Sequence, residues 1–251
     1  MKRYALIGYP LGHSFSASFF NKKFLEENIE SEYLLHPLET LNGLDDMIRE
    51  IPALKGFNVT IPHKRTVMEF LDSVSPAAKE IGAVNTVRIK EEGNHITFHG
   101  FNTDYIGFRK SLEPLISENK GTALILGSGG ASAAVGYALS SMGISYRIVS
   151  RSAKKGNLTY EEIDDSIMSD IYLIINCTPL GTWPNIDSAP SIPYQLISPS
   201  MICFDLVYNP AVTKFMKLCA AQGATIKNGL EMLHIQAEEA WRIWTSEKIK
   251  N

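Results

Sequence analysis

The run Gly56-Phe57-Asn58-Val59-Thr60-Ile61-Pro62-His63-Lys64 sets a carboxamide, a hydroxyl and an ammonium at positions 58, 60 and 64, and Gly100-Phe101-Asn102-Thr103-Asp104 adds a carboxylate. Two more short segments are equally polar and rigid: Gly8-Tyr9-Pro10-Leu11-Gly12-His13-Ser14-Phe15-Ser16 and Ile81-Gly82-Ala83-Val84-Asn85-Thr86. Each adjoins a strand terminus, where open α/β sheets bind ligands. Hydroxyls, amides, one ammonium and one carboxylate suit a small polyhydroxylated acid. Such a site rejects analogues that lack a hydroxyl, because its own polar groups are then left unpaired.

A second signal is Leu124-Ile125-Leu126-Gly127-Ser128-Gly129-Gly130-Ala131-Ser132. An apolar strand feeds a glycine turn that opens a helix of small residues, leaving backbone N–H groups free for a pyrophosphate. Ser132 stands where the third glycine of G-x-G-x-x-G would be, so the fingerprint is imperfect. The next strand ends in Ser150-Arg151-Ser152-Ala153-Lys154-Lys155, and no Asp or Glu occurs from Asn119 to Tyr160. An acid there would hold the ribose 2′-hydroxyl of NAD, whereas Arg151, with Lys154 or Lys155 beside it, accommodates the extra phosphate of NADP.

Periodicity supplies the elements that carry these groups. Strands are predicted at Tyr4–Gly8, Glu32–His36, Gly56–Val59, Val84–Lys90 and His95–His99, with helices over Ser18–Glu27 and Leu44–Ile51. A helix follows Asp104 to about Leu112. Strands then come at Thr122–Leu126, Ser145–Val149, Tyr172–Asn176, Met201–Asp205 and Thr225–Lys227, with helices over Ala131–Met142 and Thr213–Gln222, and Gly229–Ser246 closes the chain as one helix. Strands separated by helices imply right-handed crossovers and parallel sheets covered on both faces. The expected class is α/β, in two parts that meet near residue 103.

Composition sets the limits. The chain has 251 residues, 24 Lys+Arg against 27 Asp+Glu, 45% hydrophobic residues and 20% charged ones. That balance gives no polycationic surface for nucleic acid or an acidic membrane, and it matches packed globular proteins. Cys177, Cys203 and Cys219 are too scattered for a disulfide framework or a thiolate zinc site, and they read as small buried hydrophobes. No signal-peptide pattern or membrane-length apolar run is present, so a cytoplasmic protein is expected.

The segments, taken in order, resemble the shikimate dehydrogenase family. The resemblance rests on Gly8 to Ser16, Gly56 to Lys64, Ile81 to Thr86, Gly100 to Phe108 and the glycine turn, then Asn176 to Gly181, Asp205 to Pro210, and Asn228 to Leu233 with Gln236. It implies a substrate-binding catalytic domain of residues 1–103 with 230–251. Residues 104–229 would form a Rossmann-like, doubly wound NADP-binding domain, with the C-terminal helix returning to the first domain. The implied activity is reversible NADPH-dependent reduction of 3-dehydroshikimate to shikimate in chorismate and aromatic amino acid biosynthesis, across a cleft between the domains. The family's roles transfer to Lys64 and Asp104 as the catalytic pair, to Ser14 and Ser16 at the substrate carboxylate, and to Asn58, Thr60, Asn85, Asp104 and Gln236 at its hydroxyls. Tyr208, Gly229 and Met232 would lie near substrate or nicotinamide. Cofactor contacts would come from Gly127, Ser128, Gly129, Gly130, Ala131, Ser150, Arg151, Ser152, Lys154 and Thr178.

Two departures stand out. Ala17-Ser18-Phe19-Phe20-Asn21 replaces the family's Pro and His-Asn after Ser16, which affects local packing, and Ser150-Arg151-Ser152 replaces Asn-Arg-Thr, which shortens one amide partner. On this reading Lys64 either shuttles the proton or stabilises the oxyanion, with Asp104 holding both lysine and substrate hydroxyl. Alternatives are a quinate/shikimate dehydrogenase using NAD, opposed by Arg151, and a non-catalytic NADP-binding regulator, opposed by the presence of Lys64 and Asp104. His95 and His99 stand four apart without a third metal ligand, and His13 beside Ser14 lacks an orienting acid. A monomer or homodimer is expected.

Overall fold

The computed structural model describes residues 1–12, 14–93, 95–116, 121–153 and 158–246, so His13 and Lys154 lie outside the described residues. The chain divides into two compact units, 1–103 with 237–251, and Asp104–Gln236.

In the first unit the order is β1 (Lys2–Gly8), α1 (Phe15–Glu26), β2 (Ser31–Pro37), α2 (Leu44–Glu50), β3 (Leu54–Val59), β4 (Ser73–Val74), α3 (Pro76–Ile81), β5 (Thr86–Glu92) and β6 (His95–Phe101). They form one sheet in the order β2-β1-β3-β5-β6-β4. Along β1 the side chains alternate. Ala5 and Ile7 enter a core with Met47, Phe57, Val59 and Val87, while Tyr4 and Leu6 enter a second core with Phe20, Phe24, Tyr33 and Trp244. Both faces are therefore covered, as expected.

The first sheet becomes mixed at β5. β1 runs parallel to β2 and β3, but β3 pairs antiparallel with β5, and β5 antiparallel with β6. Only positions 93 and 94 separate β5 from β6, too few for a crossover of a dozen or more residues. Helix α3, which periodicity did not pick out, carries its own signals: Ser75 Oγ accepts from Ala78 N at 3.4 Å, Pro76 fills the first helical position, and Gly82 closes it at φ 69°.

The second unit contains α4 (Asp104–Leu112), β7 (Thr122–Leu126), α5 (Gly130–Ser141), β8 (Tyr146–Val149), α6 (Asp165–Met168), β9 (Ile171–Asn176), β10 (Ile202–Asp205), α7 (Lys214–Ala221) and β11 (Thr225–Asn228). Its five strands are all parallel, in the order β11-β10-β9-β7-β8, and two apolar clusters cover the two faces. The order reverses between β7 and β9, which makes the carboxyl ends of those strands the ligand-binding position of a doubly wound sheet. Helix α8 (Leu230–Thr245) closes the described chain, and its residues from Ala237 onward belong to the first unit. There Trp244 Nε1 donates to Val87 O at 2.9 Å, and the indole lies over Gly56, where any Cβ would collide with it. No described helix is long and apolar enough to cross a membrane.

Candidate active site

In the first unit the polar segments converge at the carboxyl ends of β1 and β3. Thr60 N donates to Ile7 O at 2.9 Å, and a Cβ on Gly8 would strike the Thr60 side chain, so the turns after the two strands abut. The turn carrying Lys64 is fixed at three points. His63 is buried with Nε2 2.5 Å from Leu38 O, His63 N donates to Thr60 O at 2.9 Å, and Lys64 O accepts from Val84 N at 2.7 Å. Lys64 itself is half-buried.

Behind this turn lies a connected polar frame. Tyr33 O–H donates to Asn58 Oδ1 at 2.8 Å; Asn58 Nδ2 donates to Asn85 O at 3.1 Å and to Thr86 Oγ1 at 3.0 Å. Asn85 Oδ1 accepts from Thr103 N at 2.7 Å, and Asn85 Nδ2 donates to Thr103 Oγ1 at 3.0 Å. Asn102 Nδ2 donates to Ala83 O at 3.0 Å. Asn58, Asn85, Thr86, Asn102 and Thr103 are all buried. Both protons of the Asn58 amide are spent, so what it offers a ligand is the second lone pair of Oδ1, an acceptor only.

Tyr33 is a site residue that the sequence reading missed. Its phenol bonds the Ser16 hydroxyl as well as Asn58, its ring stacks on Phe20 at 4.7 Å, and burial pushes it far above the usual phenol range. Ser14 precedes α1 without capping it, and no described group takes its hydroxyl. With no acid in the first turn of α1, the Ser14 and Ser16 side chains flank a helix N-terminus suited to a carboxylate. Of the two histidines weighed for metal, His99 is engaged at both nitrogens, by Ser73 Oγ at 2.7 Å and Thr97 Oγ1 at 3.1 Å.

In the second unit the glycine turn sits at the switch point. Gly127 has φ 110°, a region that only glycine enters freely, and its N–H bonds Val149 O at 2.7 Å. Thr178, after β9, comes against it: a Cβ on Gly127 would lie 3.2 Å from Thr178 Cγ2. Thr178 is held by Asn176 Oδ1, which accepts from its N at 3.0 Å and its Oγ1 at 2.6 Å. Asn176 in turn donates to Asp205 Oδ1 at 2.9 Å, and Asp205 also accepts from Val207 N at 3.0 Å and Thr213 Oγ1 at 2.6 Å. Burial pushes the Asp205 carboxyl up to about 6, against the opposing pull of these three hydrogen bonds.

The turn fits a dinucleotide phosphate. Positions above Gly129 and Gly130 are open, α5 has no acid in its first turn, and the buried Ser132 Oγ has no partner among the described residues. Ser128 and Ala131 are partly exposed in the same turn. After β8, Ser150 is buried with Oγ against Ser152 O at 2.5 Å, while Arg151 projects exposed with no ion pair among the described residues. Asp104, at the start of α4, and Gln236 are each 8% exposed. Tyr208 is half-buried beyond β10, Gly229 N donates to Val207 O at 3.3 Å, and Met232 packs in the core beside Phe108 and Phe204. Cys177 is half-buried, unlike Cys203 and Cys219, because it leaves β9 at the open end of the sheet.

Fold and site together define a two-unit α/β protein, with a dinucleotide-type phosphate turn in one unit and a polar frame for a small hydroxylated ligand in the other. Residues 6–87 match the family model of the shikimate dehydrogenase substrate binding domain. The NADP(+)-dependent shikimate dehydrogenase of Clostridium beijerinckii is 40% identical over 100% of this chain and 94% of its own length. That of Methanococcus aeolicus is 36% identical over 98% and 93%. The crystal structure of shikimate 5-dehydrogenase from Thermus thermophilus with NADP(H) and shikimate superposes with a TM-score of 0.83 at 33% identity, covering 98% of this chain and 94% of that one. The chain belongs to the shikimate dehydrogenase family.

Two outcomes follow from the two polar networks. Tyr33→Phe, which strands Asn58 Oδ1 and Ser16, should lower unfolding stability by about 1–3 kcal/mol in urea titrations; a loss below about 0.5 kcal/mol would show the phenol is dispensable to the frame. Asp205 ionises in the folded protein only near pH 6, against 3.8 as its ordinary value. The native state therefore holds the extra proton between those values, and this group's contribution to stability should fall as pH rises from about 4 to 6 and level off above. NMR titration of the Asp205 carboxyl carbon should give a midpoint near 6; a midpoint at or below about 4 would contradict it.

Proposed function

We propose that this chain catalyses the reversible NADPH-dependent reduction of 3-dehydroshikimate to shikimate. The observation that carries the reading is membership of the shikimate dehydrogenase family over essentially the whole chain, and the sequence contains both Lys64 and Asp104. The residues of the first unit form its substrate half and the glycine turn its cofactor half. The cytoplasmic placement and the monomeric or homodimeric state expected from the sequence belong to the same proposal.

NADPH, when bound, supplies the hydride. The chain must then orient the ring and manage charge on the carbonyl oxygen. In this reading the Ser14 and Ser16 hydroxyls and the N-terminus of α1 hold the substrate carboxylate. Asn58 accepts a hydrogen bond from a ring hydroxyl, since it has no donor left to give, and Thr60, Asn85, Gln236 and Tyr208 complete the hydroxyl contacts. Lys64, on a turn pinned by His63, donates a proton to the developing oxyanion or stabilises it, while Asp104 holds a hydroxyl and orients the ammonium. The glycine turn, Ser128, Ala131 and Thr178 cradle the pyrophosphate, and Arg151, between Ser150 and Ser152, takes the 2′-phosphate with Lys154. Gly229 and Met232 border the nicotinamide.

Steady-state turnover of shikimate and quinate with NADP and NAD tests this. Shikimate with NADP should be the preferred pair; turnover of quinate with NAD alone, or binding without turnover, would replace the proposal. In the same assay Lys64→Ala should lower kcat by about 100-fold or more. Arg151→Ala should raise KM for NADP by about tenfold or more while leaving KM for NAD nearly unchanged.

A further inference from the structure

The first unit carries a second pocket, at the end of the sheet away from the turns that hold Lys64. It lies at the start of β1 and β3 and the end of β5, has a volume of about 380 Å³, and is lined by Lys2, Tyr4, Lys55, Arg88, Lys90 and Trp244 together with two carboxylates, Glu91 and Glu92. Strand order explains why it forms. Tyr4 stands opposite Gly56, and Gly56 opposite Arg88, so the tyrosine and the arginine flank a residue with no side chain. Trp244 fills the gap over Gly56, stacked on Tyr4 at 4.8 Å. Tyr4 and Arg88 are thus two strands apart, about 10 Å between backbones, with the edge of the indole between them.

Four cations line this pocket against two carboxylates. Lys55 is paired with Glu91 at 2.8 Å. Lys2, Arg88 and Lys90 have no hydrogen bond or ion pair among the described residues. Arg88 is half-buried, and an unpaired cation partly withdrawn from water is costly unless something negative joins it. Tyr4 is 1% exposed as a whole; its hydroxyl has no hydrogen-bond partner among the described residues, yet it is not among their fully buried unpaired atoms, so the oxygen reaches the pocket rather than the core. Burial pushes the Tyr4 phenol up to about 12, with Arg88 opposing the rise, so the hydroxyl remains a donor at physiological pH.

We propose that this pocket, formed by the Tyr4 hydroxyl, Arg88, Lys2 and Lys90, binds an oxyanion of the phosphate class, free or as a small monoester. A guanidinium fork, two ammoniums and a phenol offer more donors than one carboxylate can accept, and they match a doubly charged tetrahedral group. Against these cations the lining sets two carboxylates, Glu91, already paired with Lys55, and Glu92, so the positive charge outnumbers the negative by four to two. The pocket is built from residues of the first unit, whereas the glycine turn and Arg151 belong to the other.

The test is a phosphate titration at constant ionic strength, with the Trp244 indole N–H signal followed by NMR and assigned through Trp244→Phe. Inorganic phosphate should shift that signal saturably. Arg88→Gln and Lys90→Gln, both on a partly exposed strand face, should each weaken binding about fivefold or more, and Tyr4→Phe should weaken it about threefold or more while keeping the ring. Arg151→Ala should leave it unchanged. Glycerol 3-phosphate binding more tightly than phosphate would identify an ester as the occupant, and equal affinity would identify the free ion. No saturable shift up to about 50 mM, a concentration at which even weak contacts of a few kcal/mol register, would overturn the proposal. So would unchanged affinity in both Arg88→Gln and Lys90→Gln.

Discussion

Buried amides and hydroxyls must be paired, and that requirement shapes the first unit's site more than any single contact. Each unpaired group would cost about 1–3 kcal/mol, a large share of a domain's net stability. Asn58, Asn85, Thr86 and Thr103 meet the requirement by bonding one another across β3, β5 and the segment before α4. The pairing fixes three turns at once. It also limits what the frame can offer a ligand, because Asn58 has both amide protons spent and can only accept. In the proposed function, preorganisation and selectivity come from the same bonds: a ligand without a hydroxyl at that point would leave the Asn58 oxygen unmatched.

The second unit uses the same device at its own switch point. Asn176 closes β9 and is completely buried, and it binds Thr178 on one side and Asp205 on the other. Asp205 extends the network to the segments at Val207 and Thr213. The segments that follow β9 and β10 are therefore tied together through one buried carboxylate. In both units a side chain at the carboxyl end of a central strand anchors neighbouring loops, while the glycines at 129 and 130 are left open.

Much of this was legible in the sequence wherever the signal is local. The spacing of Asn58, Thr60 and Lys64, the turn at Gly127 to Gly130, and the missing acid before Arg151 all lie within short windows, and the parallel order of the second sheet followed from its helices. What could not be read depends on strand order. Tyr33 looks like a core aromatic until β2 is placed near β3, 25 residues from its partner Asn58. The pocket of Tyr4 and Arg88 exists only because β5 folds back antiparallel beside β3, a neighbour relation that no local pattern reveals. Strand β4, two residues long, has no periodicity to detect. Helix α3 was detectable from Ser75, Pro76 and Gly82, whose capping pattern is stronger than its short apolar face.

Rigidity of the frame in solution is what a prebuilt site requires. Thr103 lies between strand and helix, where a loop amide would ordinarily exchange quickly, but its N–H is buried and donates to Asn85 Oδ1 at 2.7 Å. Native-state hydrogen exchange should therefore find the Thr103 amide as protected as the amides of β3, opening only with the unit as a whole. Exchange at the rate of an exposed loop would contradict a prebuilt frame.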